Sequence, residues 1–200
     1  QVLADNPCVD YIVRGEGEYS LKELLQHIYD NASVAEVKGI SYQVENQIYE
    51  NPDRELINNL DTIPTPYYGD ITYYKDRTIY YETSRGCPFN CSYCLSSTIR
   101  GVRFFPLDRV RKDLHFLINQ GVREVKFVDR TFNCHEKRAI ELRRFIIDEK
   151  GTTKFHFEIC ADLLSDEMMA FLKDVPPGLF DFEIGIQSTC PAALETVQRK

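Results

Sequence analysis

From residue 78 onward strand and helix patterns alternate with short connections, and this alternation restricts the fold more than any other feature. Ile79–Ser84 reads as a strand. Pro106 opens a helix with Leu107, Val110, Leu114 and Leu117 on one face, stopped at Gly121. Val122–Asp129 is the next strand, followed by a helix with Ala139, Leu142, Phe145 and Ile146 inward. Lys154–Ala161 is a third strand, Ser165 caps a short helix through Lys173, and Leu179–Ser188 is a fourth strand. Pro191 to Lys200 has the pattern of a further helix. Strands alternating with helices pair in parallel through right-handed crossovers.

Two of these strands add a second restriction. Phe155, Phe157 and Ile159 share one face, opposite His156, Glu158 and Cys160. Phe180, Phe182, Ile184 and Ile186 share a face, opposite Asp181, Glu183, Gly185 and Gln187. A parallel sheet covered by helices on both sides is apolar on both faces. A polar face favours a barrel, or part of one, whose inner wall lines a site at the C-terminal strand ends. The competing account has His156 and Glu158 reaching solvent beside an open sheet. The expected class is α/β, with parallel βα repeats forming a partial (half) TIM-like barrel and a small N-terminal α+β appendage.

Upstream the character differs. Val9–Val13 is a short apolar run ending at Arg14-Gly15-Glu16-Gly17-Glu18, and Ser20 then caps a helical pattern through Leu21, Leu24, Leu25 and Ile28. Gly15-x-Gly17 lacks the third glycine of a dinucleotide fingerprint and its loop is acidic, so a tight turn into a helix is the simpler reading. One βα unit cannot bury its own apolar faces, so a preceding portion is expected. Gly39–Val44 and Gln47–Tyr49 form a small hairpin around Glu45-Asn46, and residues 61–70 are a proline-punctuated connector. Residues 1–80 carry 6 basic and 14 acidic side chains, residues 81–200 carry 18 and 17, and the change marks a boundary.

The net charge of −7 argues against indiscriminate binding to phosphates. Arg100, Arg103, Arg109, Arg111 and Lys112 make a local basic cluster that suits RNA or an exposed helix face equally well. No run approaches the ~18 apolar residues of a membrane span, and Gln1–Asp5 has no signal-peptide character, so a cytoplasmic protein is expected.

Of seven cysteines, Cys8, Cys134, Cys160 and Cys190 are scattered and read as small buried hydrophobes. Cys87, Cys91 and Cys94 fall in one short loop directly after a strand, where core packing cannot explain them. Three thiolates there can hold three irons of a cubane [4Fe–4S] cluster and leave the fourth open to a substrate ligand. Gly86 allows close backbone approach, Pro88 stiffens the turn, and Arg85 sits where it can offset the thiolate charge. The alternative, structural zinc, needs four closed ligands, and Cys134 would have to reach across a βα unit to supply the last.

Cys87-Pro-Phe-Asn-Cys91-Ser-Tyr93-Cys94 resembles the cluster motif of radical S-adenosylmethionine enzymes. The resemblance, over roughly residues 78–200, implies a [4Fe–4S] cluster on Cys87, Cys91 and Cys94, with Tyr93 near the adenine of S-adenosylmethionine. It implies reductive cleavage of that cofactor to a 5′-deoxyadenosyl radical, and an electron donor such as flavodoxin or ferredoxin. Asp129 is similar to the strand-end residue holding the methionyl amino group. Gln187 and Ser188 are similar to a ribose-contacting segment. Glu158-Ile-Cys160-Ala-Asp162 resembles a further cofactor segment in which relatives often carry an arginine at the place of Cys160. No catalytic residue and no particular substrate are assigned.

Val9–Glu18 resembles the last βα unit of the cobalamin-binding domain preceding the radical domain in one large subgroup. The domains implied are a cobalamin-type remnant (1–35), a hairpin and connector (36–77) and a truncated radical domain (78–200). The implied parent enzyme uses cobalamin, gripped outside these residues, with methyl transfer among its options. An iron–sulfur or zinc module without radical chemistry is the alternative. A cut after the fourth strand would leave an edge open to pairing with a second copy.

Overall fold

The computed structural model describes residues 2–45, 47–99 and 101–199. Asn46 of the expected hairpin turn, Arg100 of the expected basic cluster, and the end residues Gln1 and Lys200 lie outside the described residues. The chain divides into two units, Gln1–Asn59 and Leu60–Lys200.

The first unit contains α1 (Val2–Asp5), β1 (Tyr11–Val13), α2 (Gly17–Tyr29), β2 (Ile40–Val44) and β3 (Gln47–Glu50). All three strands are antiparallel, with β2 in the centre. The strand heading the expected βα unit therefore joins the hairpin. The hairpin in turn gives α2 an apolar surface, where Leu24 packs with Val37, Ile40 and Tyr42. Ser20 is not a cap. The helix starts at Gly17, and buried Ser20 donates to the Lys38 carbonyl at 2.8 Å and accepts from Arg54 Nε at 2.9 Å. Leu21, Leu25 and Ile28 stay exposed, so Leu24 alone of the apolar pattern enters the core. Gly15 takes the left-handed φ of +70° that the turn into α2 requires.

The second unit contains β4 (Thr78–Tyr81), β5 (Ser84–Cys87), β6 (Gly101–Phe104), α3 (Leu107–Asn119), β7 (Glu124–Phe127), α4 (Glu136–Asp148), β8 (Lys154–Ile159), α5 (Asp166–Lys173), β9 (Phe180–Ile184) and α6 (Pro191–Thr196). Strands β4, β7, β8 and β9 form a parallel sheet in that order, the sequential winding of a partial TIM-like barrel. Among the described residues the sheet is open, with β4 and β9 at its edges. All four expected strands are shorter than their patterns, β7 and β8 by a few end residues and the first and fourth for reasons the chain path shows. The first ends at Tyr81, and Ser84–Cys87 leaves the sheet to pair antiparallel with β6. The fourth ends at Ile184, and Ile186 beyond it is 66% exposed. Ser165 does cap α5, its Oγ accepting from the Met168 N–H.

The apolar sheet face carries Val125, Phe127, Phe155, Phe157 and Ile159, all buried against the helices. Phe157 lies at the centre, 4.8 Å from the Phe127 ring, 4.6 Å from Phe132 and 5.7 Å from Phe182. Ala139, Leu142 and Ile146 of α4 face this layer as expected, whereas Phe145 is half-buried and Arg143 is fully buried. The Arg143 guanidinium lies over the rings of Phe157, Phe182 and Phe132, 4.9 to 5.3 Å from their centroids, and donates to Met168 Sδ. Aromatic faces attract a cation that burial has stripped of water. Of the expected basic cluster, Arg109 pairs with Asp61 and Asp113, and Arg111 with Asp108 and Glu141, so α3 offers no uncompensated basic stripe at these positions. No helix among the described residues is long and apolar enough to cross a membrane.

Phe157→Ala removes the hub of the aromatic layer and should destabilise this unit by about 3–5 kcal/mol. Urea unfolding checks this, with a loss below about 1 kcal/mol contradicting it.

Candidate functional site

The cysteine loop is carried by the β5–β6 hairpin, with Cys87 opposite Gly101. Gly86 has φ +94°, and a Cβ there would lie 2.1 Å from the Gly101 carbonyl oxygen, so the two strands approach only with glycine at this position. Past Cys87 the loop turns back on itself, the Cys94 N–H donating to the Cys91 carbonyl at 3.0 Å. The Ser97 hydroxyl closes the next turn on the Cys94 carbonyl at 2.6 Å. The segment after α6 packs on the loop, with the Ser92 N–H donating to the Val197 carbonyl at 3.0 Å.

All three thiols line one cavity of about 260 Å³. Its other walls are the C-terminal ends of β8 and β9 and the segment following β7. Among the expected cofactor residues, Tyr93, Glu158 and Gln187 are on this wall. Tyr93 is 53% exposed, and Gln187 has a left-handed φ of +57° that turns the chain back after β9. Asp129 and Ser188 do not line it. Asp129 is buried behind the wall and accepts from the Thr83 N–H and hydroxyl at 2.9 and 2.6 Å and from the Ser84 hydroxyl. Burial pushes its carboxyl above the ordinary range, against those hydrogen bonds. Ser188 accepts from the Cys190 N–H at 3.1 Å, a local turn contact.

The cations beside the thiols differ from the expected one. Arg85 pairs with Glu82 at 2.9 Å and leans over the Phe105 ring. Arg130 and Arg199 line the cavity instead, and Arg199 donates to Tyr93 Oη at 3.3 Å and to the Gly185 carbonyl. Hydrogen bonds from the backbone and hydroxyl of Ser96 hold the Cys94 thiol below its ordinary range, with Arg130 adding to them. Such surroundings favour the thiolate that iron requires. Arg130 directly follows the expected strand-end aspartate. Arg199, more than a hundred residues from Tyr93, had no signal in the pattern.

Below the cavity, the polar face of the sheet carries Lys126, 2.9 Å from Glu183 and 3.9 Å from Glu158, with His156 3.3 Å from Glu183. The Lys126 hydrogen bond holds the Glu183 carboxyl below its ordinary range. Cys160 also lines the cavity, and Asn133 secures it on both backbone sides, accepting from its N–H at 2.9 Å and donating to its carbonyl at 2.8 Å. Contrary to expectation, Cys8 and Cys190 are exposed. Cys134 lies outside the cavity, its thiol pushed up to about 11 by burial and then by Asp129 and Cys87.

Among the described residues no three His, Cys, Asp or Glu side chains are grouped around a point that one metal ion would occupy. Three thiols spread around one cavity fit a multi-iron cluster, in which each thiolate has its own iron, better than the closed tetrahedron of zinc. A larger groove, of about 580 Å³, runs along the outer side of α4 and is lined by charged pairs such as Arg111–Glu141. It contains no thiol, whereas the three of the cysteine loop line the smaller cavity.

The profile of the Radical SAM superfamily matches residues 81–200, from the end of β4 through α6. The chain belongs to this superfamily. An uncharacterized methyltransferase of Pyrococcus horikoshii is 33% identical over 203 residues, covering 98% of this chain and 44% of the relative. The cobalamin-dependent radical SAM methyltransferase TokK of Streptomyces tokunonensis is 26% identical over 158 residues, covering 73% and 23%. The chain thus spans less than half the length of these relatives. In fold it is similar to the radical S-adenosylmethionine methyltransferase TsrM of Kitasatospora setae, solved with cobalamin and a [4Fe–4S] cluster. That likeness has a TM-score of 0.72 at 18% identity and covers 96% of this chain and 41% of the other.

In this radical SAM chain, Gly86→Ala should splay the β5–β6 hairpin, because backbone and not a flexible side chain stands where the methyl must go. After anaerobic reconstitution the iron content should fall several-fold while helical circular dichroism is retained. Full iron loading would refute the close-approach account.

Proposed function

We propose that the chain is part of a [4Fe–4S]-dependent radical S-adenosylmethionine enzyme in which Cys87, Cys91 and Cys94 ligate the cluster. The supporting observation is the convergence of the three thiols with Tyr93, Arg130 and Glu158 on one cavity at the strand ends. A cluster held by these thiolates would supply the one electron needed for reductive cleavage of S-adenosylmethionine to methionine and a 5′-deoxyadenosyl radical. The remaining roles belong to the chain. Tyr93 presents its ring to the adenine, and Gln187 offers its amide to the ribose. Arg130, whose guanidinium forms no ion pair among the described residues, meets the carboxylate in place of the arginine that relatives often carry where Cys160 stands. Glu158 offers a carboxylate to the remaining polar groups, whereas Asp129 acts from behind the wall and Ser188 shapes the turn after β9.

The full enzyme, on this reading, transfers methyl groups with cobalamin, as the names of the relatives suggest, to a small molecule. It works in the cytoplasm, where thiols stay reduced, and takes electrons from a flavodoxin or ferredoxin.

Anaerobic reconstitution with iron and sulfide, followed by electron spin resonance, tests the reading. A cubane signal that shifts when S-adenosylmethionine is added is expected. An unshifted signal would leave an electron-transfer module, and a colourless zinc-replete protein would remove the iron site altogether. Cys91→Ala should abolish cubane assembly, whereas Cys190→Ala, at an exposed thiol outside the cavity, should keep the iron content near normal.

Tyr93→Ala should weaken S-adenosylmethionine binding by about 1 kcal/mol, the scale of one aromatic contact, with the cluster intact. Unchanged affinity in a titration of the reconstituted protein would reduce Tyr93 to a packing residue.

A further inference from the structure

The cysteine hairpin has two feet, Thr83-Ser84 entering β5 and Phe104-Phe105 leaving β6. The feet are tied to each other by the Phe105 N–H donating to the Thr83 carbonyl at 3.0 Å. They are tied to the segment after β7 and to α4 by two charged side chains. Asp129, just past β7 and 1% exposed, takes the Thr83 N–H, the Thr83 hydroxyl and the Ser84 hydroxyl. Arg138, in the first turns of α4, donates to the Phe105 carbonyl at 2.8 Å and the Thr83 carbonyl at 3.5 Å, with its guanidinium 5.1 Å above the Phe104 ring. Three of the carboxylate's roughly four acceptor positions are thereby used on the hairpin, inside the protein. Ser84 is three residues from Cys87, whose Sγ lies 3.5 Å from the hydroxyl of Thr131 in the same post-β7 segment.

We propose that buried Asp129 and half-buried Arg138 form a clamp that sets the cysteine hairpin against the sheet and α4, so that Asp129 is a positioning residue for the iron ligands and makes no contact with the cofactor. The inference rests on the radical S-adenosylmethionine reading for the identity of the ligands, but the clamp itself is a property of the protein alone. It assigns the strand-end aspartate a task different from holding a methionyl amino group. A hydrogen-bonded carboxylate enclosed behind the wall acts on the cofactor only through the loop it secures.

The clamp is tested on the whole chain with Asp129→Asn and the milder Thr83→Val, which keeps the backbone N–H contact and removes the hydroxyl. In the unloaded protein, hydrogen exchange of the β5 and β6 amides should accelerate about tenfold in each variant, while amides of β7 and β8 keep their protection. The accelerations should be less than additive in the double variant, because both changes weaken the one Asp129–Thr83 link. In reconstituted protein a chelator should strip iron about tenfold faster from either variant, and the loaded fraction should bind S-adenosylmethionine within about twofold of the parent affinity. Unchanged hairpin exchange would overturn the clamp, as would Asp129→Asn protein with normal iron retention and binding weakened more than tenfold. Accelerated exchange in a chain that assembles no cubane would uphold the clamp and remove the radical S-adenosylmethionine reading.

Discussion

The parallel ladder of β4, β7, β8 and β9 brings four C-terminal strand ends to one side, and the site is built on that side. Its register is held from the opposite face. Phe127, Phe155 and Phe157 are buried against the helices, each contributing about 1.5–3 kcal/mol relative to exposure. A slip of one residue in β8 would drive His156 and Glu158 into that layer and turn Phe155 and Phe157 outward. The apolar face therefore dictates the polar one. Lys126 is set beside His156, and Glu158 beside Glu183, because the aromatic side chains leave the pleat no other phase.

Thiolates on such a scaffold need compensation, since the chain as a whole is acidic, with a net charge of −7. The compensation is local. Arg130 follows the end of β7 and Arg199 follows α6, and both reach the cavity that the three thiols line. Neither belongs to the cysteine loop, so the charge around the thiols is correct only when the second unit is folded. Ser96, inside the loop, supplies the short-range part through hydrogen bonds to Cys94. Arginine suits the long-range part because it stays protonated whatever the iron content.

Much of this was legible in the sequence where the signal is local. The α3, α4 and α5 patterns, the Ser165 cap and the two-faced β8 are short-range periodicities, and the cysteine spacing is contained in eight residues. The failures have physical causes. Gly101–Phe104 becomes a strand only because Ser84–Cys87 lies beside it, a pairing across the whole loop that no window of residues reveals. Arg143 reads as a surface residue on a helix, and only the assembled aromatic layer gives its guanidinium a place to be buried. Ser20 has the chemistry of a cap but sits one turn inside α2, where Lys38 and Arg54 satisfy its hydroxyl. Gln187 was legible by type, but its left-handed backbone, which ends the strand pattern early, was not.

The five residues 129–133 show how one connection serves several elements at once. Asp129 turns inward to the feet of the hairpin, Arg130 turns outward to the cavity, Thr131 touches Cys87, Phe132 joins the aromatic layer, and Asn133 holds Cys160 at the end of β8. Asp129, Thr131, Phe132 and Asn133 are all buried, whereas Arg130 is exposed. The segment therefore separates holding from contacting within a few ångströms of chain. Buried side chains with filled hydrogen bonds define where the loop and β8 meet, and the solvent-facing arginine is left free to meet an anion. Buried partners lose most when removed, since the group left behind has no water to turn to. Changes at 129, 131 or 133 should thus be felt first in the geometry of the thiols and of β8, and changes at 130 first in the charge of the cavity.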